Sequence, residues 1–258
     1  MRPWHKWVFD KLYLKVYGPQ ADPYNDEEAR NIIKLLGLSA GNSILDLGCG
    51  YGRHCLCLAK SGFRVTGIDT SKILLAEARQ EAQKYDLAIE YKKADMRNLP
   101  FDNQFDAVVN NYQSFGFFSH EKNRAVLTEV SKSLKPAGKL LIEQVNIFHD
   151  VLAGKRNRTT YIQDHNLVSV VAIKTDPYSH RQTYNWKVYD SCGGKQLRDV
   201  DCTYYLYTIP ELVQMAEQAR LRLIGAYNDD LKEYRFTEKG MIVIFEKRVR
   251  PRSGRQLA

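Results

Sequence analysis

Between residues 26 and 145 the apolar pattern switches repeatedly between helical and strand spacing, and this alternation constrains the fold more than any other feature. Strands that alternate with helices need crossover connections, which lay the strands parallel in one sheet with helices on its faces. Asp26 opens a helix carrying Ile32, Ile33, Leu35 and Leu36, and Gly37 and Gly41 end it. Ser43 to Leu47 is a first strand, Gly48 to Gly52 a glycine-rich turn, and the helix after it carries Leu56, Leu58 and Ala59 up to Gly62. A second strand runs from Phe63 to Ile68 and stops at Asp69. Ser71 caps a helix to about Tyr85, and Ile89 to Lys93 forms a third strand. Phe105 to Val109 is a fourth strand, Glu121 to Leu134 a helix and Lys139 to Gln144 a fifth strand, with Pro136-Ala-Gly138 as the break before it.

Beyond residue 150 the period changes. Val168 to Ile173, then Tyr184, Trp186 and Val188, then Val200, Cys202, Tyr204 and Leu206 alternate with mostly polar neighbours, which predicts three antiparallel strands. Gly193-Gly194 supplies the turn between the last two. Thr208-Ile-Pro-Glu211 has the capping-box spacing and starts a helix to about Ala219. Strands near Leu221 to Tyr227 and Met241 to Glu246 close the pattern.

With 258 residues, 44% hydrophobic and 26% charged, the chain has the profile of a globular protein with a full core. No apolar run approaches the roughly 20 residues of a membrane span, and Met1 to Trp7 lacks the apolar stretch of a secretion signal, so a cytoplasmic location is expected. Cysteines at 49, 55, 57, 192 and 202 make no C-x-x-C pair, and on a helix residues 55 and 57 point about 200° apart. Neither a disulfide framework nor a metal site is expected. The formal charge is +8, but residues 247–258 hold five cations and no acid, leaving +3 for the body, so the charge sits in a solvated tail.

Asp46-Leu-Gly48-Cys-Gly50-Tyr-Gly52 joins strand to helix, where glycines let a ligand approach backbone N–H groups. The spacing is G-x-G-x-G, whereas a dinucleotide fingerprint is G-x-G-x-x-G. Asp46, two residues before the first glycine, repels a pyrophosphate but suits an ammonium group near a sulfonium. Asp69 ends the second strand, where a carboxylate can accept both ribose hydroxyls, a test that NAD also meets. Asp95 in Ala94-Asp-Met96 is placed to accept from an adenine amino group, with the Met96 amide against the ring. Ammonium, ribose and adenine each find a partner and diphosphate finds none, a set that S-adenosylmethionine matches.

Ile44-Leu-Asp-Leu-Gly-Cys-Gly-Tyr-Gly52, Val65-Thr-Gly-Ile-Asp69, Ala94-Asp95, Phe105-Asp-Ala-Val-Val109 and Leu134-Lys-Pro-Ala-Gly-Lys139 follow one another in order. In these motifs residues 40–145 resemble the class I S-adenosylmethionine-dependent methyltransferases of small-molecule type. The resemblance implies an α/β, Rossmann-like, seven-stranded sheet whose last strand runs antiparallel, with an antiparallel β insertion after strand 5. It implies a single domain, 1–258: a cofactor-binding βαβ half at 26–145, a lid insertion at 150–207, a closing helix and strand pair at 208–247 and a basic tail at 248–258. Asp46, Gly48, Cys49, Gly50, Asp69, Thr70, Asp95, Met96 and Asn111 are the expected cofactor contacts. Asn110 to Phe118 lies where the family brings donor and acceptor together, so Gln113 and Phe115 are candidate acceptor contacts. Tyr13 and Tyr17, four apart on a possible helix, are candidates for a cover over the site.

Methyl transfer from a sulfonium needs alignment more than acid catalysis, and no side chain is assigned as a base. His120 reads as a helix start, His149, His165 and His180 fall in or beside the insertion, Tyr184, Trp186 and Tyr204 read as packing, and Asp106 as a structural carboxylate at a strand start. The segment after strand 4 lacks the Asn/Asp-Pro-Pro-Tyr/Phe pattern of adenine or glutamine amide methylation. The expected partner is a small-molecule acceptor rather than nucleic acid or membrane. An RNA methyltransferase, a non-catalytic S-adenosylmethionine-binding module and a nicotinamide oxidoreductase are the alternatives.

Overall fold

A computed structural model describes residues 4–18 and 24–249. Asp10 accepts from the amides of Leu12 and Tyr13 and so caps α1 (Lys11–Tyr17), after which come α2 (Tyr24–Leu36), β1 (Ser43–Leu47), α3 (Arg53–Lys60), β2 (Arg64–Asp69), α4 (Lys72–Lys84) and β3 (Glu90–Lys93). The chain then crosses back to β4 (Phe105–Asn110), α5 (His120–Ser133) and β5 (Leu134–Val145). Next come α6 (Ile147–Ala153), β6 (Arg156–Ile162), β7 (Leu167–Asp176), β8 (Arg181–Asp190) and β9 (Gln196–Tyr205), then α7 (Ile209–Gln218), β10 (Leu221–Tyr227) and β11 (Gly240–Lys247).

The seven-stranded sheet has the order β10-β11-β5-β4-β1-β2-β3, and β11 runs antiparallel to both its neighbours. Both faces are covered, which explains the near-continuous apolar runs of β1 and β4. Leu45, Leu47, Phe105 and Val108 join the core under α5 and α7, while Ile44, Ala107 and Val109 join the core under α2, α3 and α4. Because β1 pairs with β2 on one side and β4 on the other, the topology reverses at β1 and opens a crevice beyond its carboxyl end.

Two elements differ from the pattern read in the sequence. The fifth strand begins at Leu134 rather than Lys139: its register against β4 jumps from Phe105↔Leu134 to Ala107↔Lys139, so the Pro136-Ala-Gly138 break is absorbed as a bulge within the strand. The insertion has four strands, β6-β7-β8-β9, rather than three. β6 is an edge strand of sequence RNRTTYI, exposed along most of its length, so it carries no apolar alternation.

The N-terminal arm packs onto this second sheet. Val8 and Val16 share an apolar cluster with Val171, Trp186 and Val188, and Arg198 pairs with Asp10 at 2.7 Å. The indole of Trp4 donates to the Thr203 carbonyl at 3.1 Å. Arm and insertion thus form one body, tied to the crevice where Tyr205 N donates to Gly116 O at 2.9 Å and Ser71 Oγ donates to Phe9 O at 2.7 Å. Residues 250–258, most of the basic tail, lie outside the described residues. Among the described residues no helix is long and apolar enough to cross a membrane.

Gly116 is the tightest of these junctions: it has φ +103°, and a Cβ there would lie 2.3 Å from the Tyr205 carbonyl oxygen. Gly116→Ala should therefore lower stability by at least about 2 kcal/mol, through left-handed backbone strain plus the collision. Gly193→Ala, whose Cβ meets nothing within 4 Å, should stay within about 0.5 kcal/mol. Urea unfolding of the two variants checks the contrast.

Candidate active site

The crevice is built on the turn after β1. Gly48, Gly50 and Gly52 have φ of +84°, +56° and +82°, conformations that glycine adopts without strain. The amides of Gly48 and Cys49 both donate to Ile68 O at 2.9 Å, and Gly50 N donates to the Asp69 carboxylate at 3.1 Å. The end of β2 therefore holds the loop from below. Asp69 also accepts from Ser71 N at 2.7 Å, which fixes the start of α4.

A cavity of about 730 Å³ lies over this turn. Asp46, Gly48, Cys49, Gly50, Asp69, Thr70, Asp95, Met96 and Asn111 all line it, so the nine expected cofactor contacts converge on one space. Tyr13 and Tyr17 of α1 line it from the opposite side, their rings 5.1 Å apart, with the Tyr17 hydroxyl 3.1 Å from that of Tyr184 in β8. Gln113 does not line the cavity. Phe115 is a correction: it is 1% exposed, packed in the core with its ring 5.6 Å from that of Tyr207, and cannot touch an acceptor. Phe117 and Phe118 take the aromatic place at the cavity wall instead.

Three carboxylates face this space in different states. Asp46 is 3% exposed and accepts from the Cys55 thiol at 3.2 Å; burial pushes its carboxyl above the usual range. Burial also raises Asp69, against the pull of its backbone N–H donors. Asp95 goes the other way, because the Arg97 side chain engages both its oxygens, at 2.9 and 2.5 Å, and holds it low. Each carboxylate oxygen has a second lone pair, so Asp95 retains acceptor capacity. Asn110 Nδ2 donates to Leu47 O at 2.7 Å, while the buried Oδ1 of Asn111 has no partner among the described residues.

A polar network beside Asp46 escapes sequence reasoning. Arg53 stacks over the Tyr112 ring at 3.4 Å, the Tyr112 hydroxyl donates to Glu28, and Glu28 lies 3.0 Å from His54 Nε2. The amide of Tyr112 donates to the Glu143 carboxylate at 3.0 Å, and both Tyr112 and Gln113 have left-handed φ, +54° and +56°. Arg53 and His54 adjoin the glycine turn and carried a signal by position, but their partners on α2 and β5 are visible only in three dimensions. The histidines serve elsewhere: His120 Nδ1 lies 3.0 Å from the Tyr207 hydroxyl, and His180 pairs with Glu211 at 3.2 Å. Asp106 pairs with Lys135 at 2.7 Å and accepts from Ser43 N, a tie between strand ends. No group of three or more His, Cys, Asp or Glu side chains poised for a metal occurs among the described residues.

Residues 44–138 match the family model described as a methyltransferase domain. The chain is 38% identical over 117 residues to a 2-phytyl-1,4-naphtoquinone methyltransferase of Nostoc punctiforme, an alignment covering 43% of this chain and 49% of that protein. The chain thus spans about half the length of the curated relatives it matches. Among solved structures, the CcbJ methyltransferase of Streptomyces caelestis superposes with a TM-score of 0.79 at 19% identity, over 95% of this chain and 99% of that one. CalS10, an amino pentose methyltransferase of Micromonospora echinaspora, superposes with a TM-score of 0.65 at 18% identity, over 91% and 96%. At these identities the superpositions establish the fold.

The loop geometry makes one energetic statement. A Cβ on Gly52 would lie 2.4 Å from Tyr91 Oη, in addition to the strain of φ +82°. Gly52→Ala should cost about 2–4 kcal/mol, and adding Tyr91→Phe should recover only the hydroxyl part of the collision, leaving the contacts with Ala78 Cβ and the ring at 3.0–3.1 Å and the roughly 1–2 kcal/mol of backbone strain. A double-mutant cycle by denaturant unfolding measures both parts.

Proposed function

We propose that this chain, whose residues 44–138 match the family model described as a methyltransferase domain, is a class I S-adenosylmethionine-dependent methyltransferase that methylates a small-molecule acceptor in the crevice beneath the N-terminal arm. The observation that carries this reading is the convergence of Asp46, Asp69, Asp95 and the Gly48–Gly52 turn on one cavity that Tyr13 and Tyr17 also line. Two features fit the donor. A Cβ on Gly48 would lie 3.0 Å from Ser114 Cβ and 3.7 Å from Met96 Cε, so a glycine keeps the slot open. The unpartnered Asn111 Oδ1 offers an acceptor to an ammonium group.

When bound, S-adenosylmethionine supplies a methyl group on a positively charged sulfur, already activated for transfer. In this reading Asp46, Asn111 and the Gly48–Gly50 backbone hold its amino-acid end, with Cys49 and Thr70 beside them. Asp69 accepts from the ribose, and Asp95 and Met96 meet the adenine. The rings of Tyr13, Tyr17 and Phe117 present π faces that attract a cation. Burial raises the Tyr13 phenol, which stays protonated at neutral pH and acts as an oriented dipole, not a base. With the methyl group already activated, the main contribution of the protein is alignment, worth up to roughly 7–11 kcal/mol when reacting atoms are held in line. The relatives named for a naphthoquinone and an amino pentose support a small acceptor.

Calorimetry with S-adenosylmethionine and NADH side by side, followed by a labelled-donor screen of metabolites against tRNA and rRNA, tests the reading. Binding of NADH alone overturns it, label entering only RNA overturns the small acceptor, and failure of every acceptor leaves a binding module.

Asp69→Ala should weaken donor binding by about 1.5–3 kcal/mol, the worth of a charge-assisted hydrogen bond; unchanged affinity in calorimetry means that the ribose sits elsewhere. The raised Asp46 and Asp69 carboxyls also fix a sign. A cationic ligand favours their ionised forms, so affinity is full above the raised values and falls with acidification, beginning above the ordinary Asp value near about 3.9. In the free protein these two groups bind protons more tightly folded than unfolded, so their own contribution to stability rises as pH falls and binding is lost without their unfolding the chain. Affinity and melting temperature measured across acid pH separate the two trends.

A further inference from the structure

A second cavity, of about 350 Å³, adjoins the crevice and shares His5, Lys6, Phe117 and Phe118 with it. Its other walls bring in Arg97 after β3, Lys122 in the first turn of α5 and Arg181 at the start of β8. Four permanently cationic side chains from four separate segments therefore face one space, and no carboxylate lines it. Arg97 is neutralised by Asp95 at 2.5 Å. Lys6, Lys122 and Arg181 form no ion pair with a carboxylate among the described residues. Ser119 caps α5 at the same wall, so the positive end of a 14-residue helix adds to the field. Thr203 and Tyr205 supply hydroxyls beside these charges.

Unpaired like charges held around a concavity repel one another, and an anion relieves that repulsion. We propose that this cavity is the phosphate subsite of the acceptor: the methylated molecule carries a phosphate or diphosphate group held by Lys6, Lys122 and Arg181, while its nucleophilic end passes Phe117 into the crevice. This proposal rests on the methyltransferase reading of the crevice for the word acceptor, but the anion site is testable without it. A phosphate fits better than a carboxylate because cations approach from several segments, matching a tetrahedral group with three free oxygens rather than a planar pair. The cations ring one concavity of about 350 Å³, which matches a single phosphate or diphosphate group rather than a run of nucleic-acid backbone and favours a small phosphorylated molecule over RNA.

The test is calorimetry of the full chain at low salt with pyrophosphate, inorganic phosphate and succinate, on the wild type and on Lys122→Ala/Arg181→Ala. Both positions are exposed and neither is assigned to the donor. Pyrophosphate should bind the wild type and lose about tenfold or more in the double variant, the loss of two charge-assisted contacts, while S-adenosylmethionine affinity stays within about twofold. Equal pyrophosphate affinity in the two proteins, no pyrophosphate binding, or tighter binding of succinate overturns the phosphate subsite. So does tRNA binding that the double variant abolishes while pyrophosphate fails to compete. Absence of S-adenosylmethionine binding to the wild type, with pyrophosphate binding intact, strikes the donor reading and not the anion site.

Discussion

The carboxyl end of β2 is the anchor on which the site depends. Ile68 O takes two amides from the glycine turn and Asp69 takes a third, so one short stretch of strand sets the conformation of a loop that has few side chains of its own to pack. The same Asp69 carboxylate accepts from Ser71 and starts α4. Loop, Asp69 carboxylate and helix start are consequently one hydrogen-bonded unit. The loop cannot shift without exposing Ile68 O, and a buried carbonyl left unpaired costs about 1–3 kcal/mol.

From that anchor hydrogen bonds reach the arm and the insertion sheet. Ser71, next to the anchored turn, binds the backbone of the arm at Phe9, and Gly116 binds the end of β9. Arm and insertion sheet share the cluster around Trp186 and the Arg198–Asp10 pair, so they behave as one packed unit.

The parallel half was legible because its strands are buried on both faces and its turns are marked by glycine and aspartate, so period and punctuation agreed. Legibility fails where one signal is missing. β6 pairs along an edge with its side chains in solvent, and an exposed RNRTTYI has no period to read. The bulge at the start of β5 hides behind a Pro-Ala-Gly sequence that punctuates like a loop. Phe115 illustrates a different limit: in a run of aromatics, Phe115, Phe117 and Phe118 are equivalent by composition, and only the turn at Gly116 sends the first inward to Tyr207 and the others to the cavity. The Glu28–His54–Tyr112–Arg53 network joins elements distant in sequence and left no spacing to find.

The distribution of charge around the two cavities follows from these placements. Carboxylates stand at the carboxyl ends of the parallel strands, where Asp46 and Asp69 face the larger cavity, and their burial makes ionisation costly without a positive partner. Cations stand at the far wall, contributed by the arm, α5 and β8, with Phe117 and Phe118 between the two regions. A sulfonium donor would relieve the buried Asp46 and Asp69, and a phosphate the unpaired cations of the second cavity. The net charge of +8 belongs to two separate features: a C-terminal tail that adds five cations, and a smaller excess in the body that includes the cations of the second cavity.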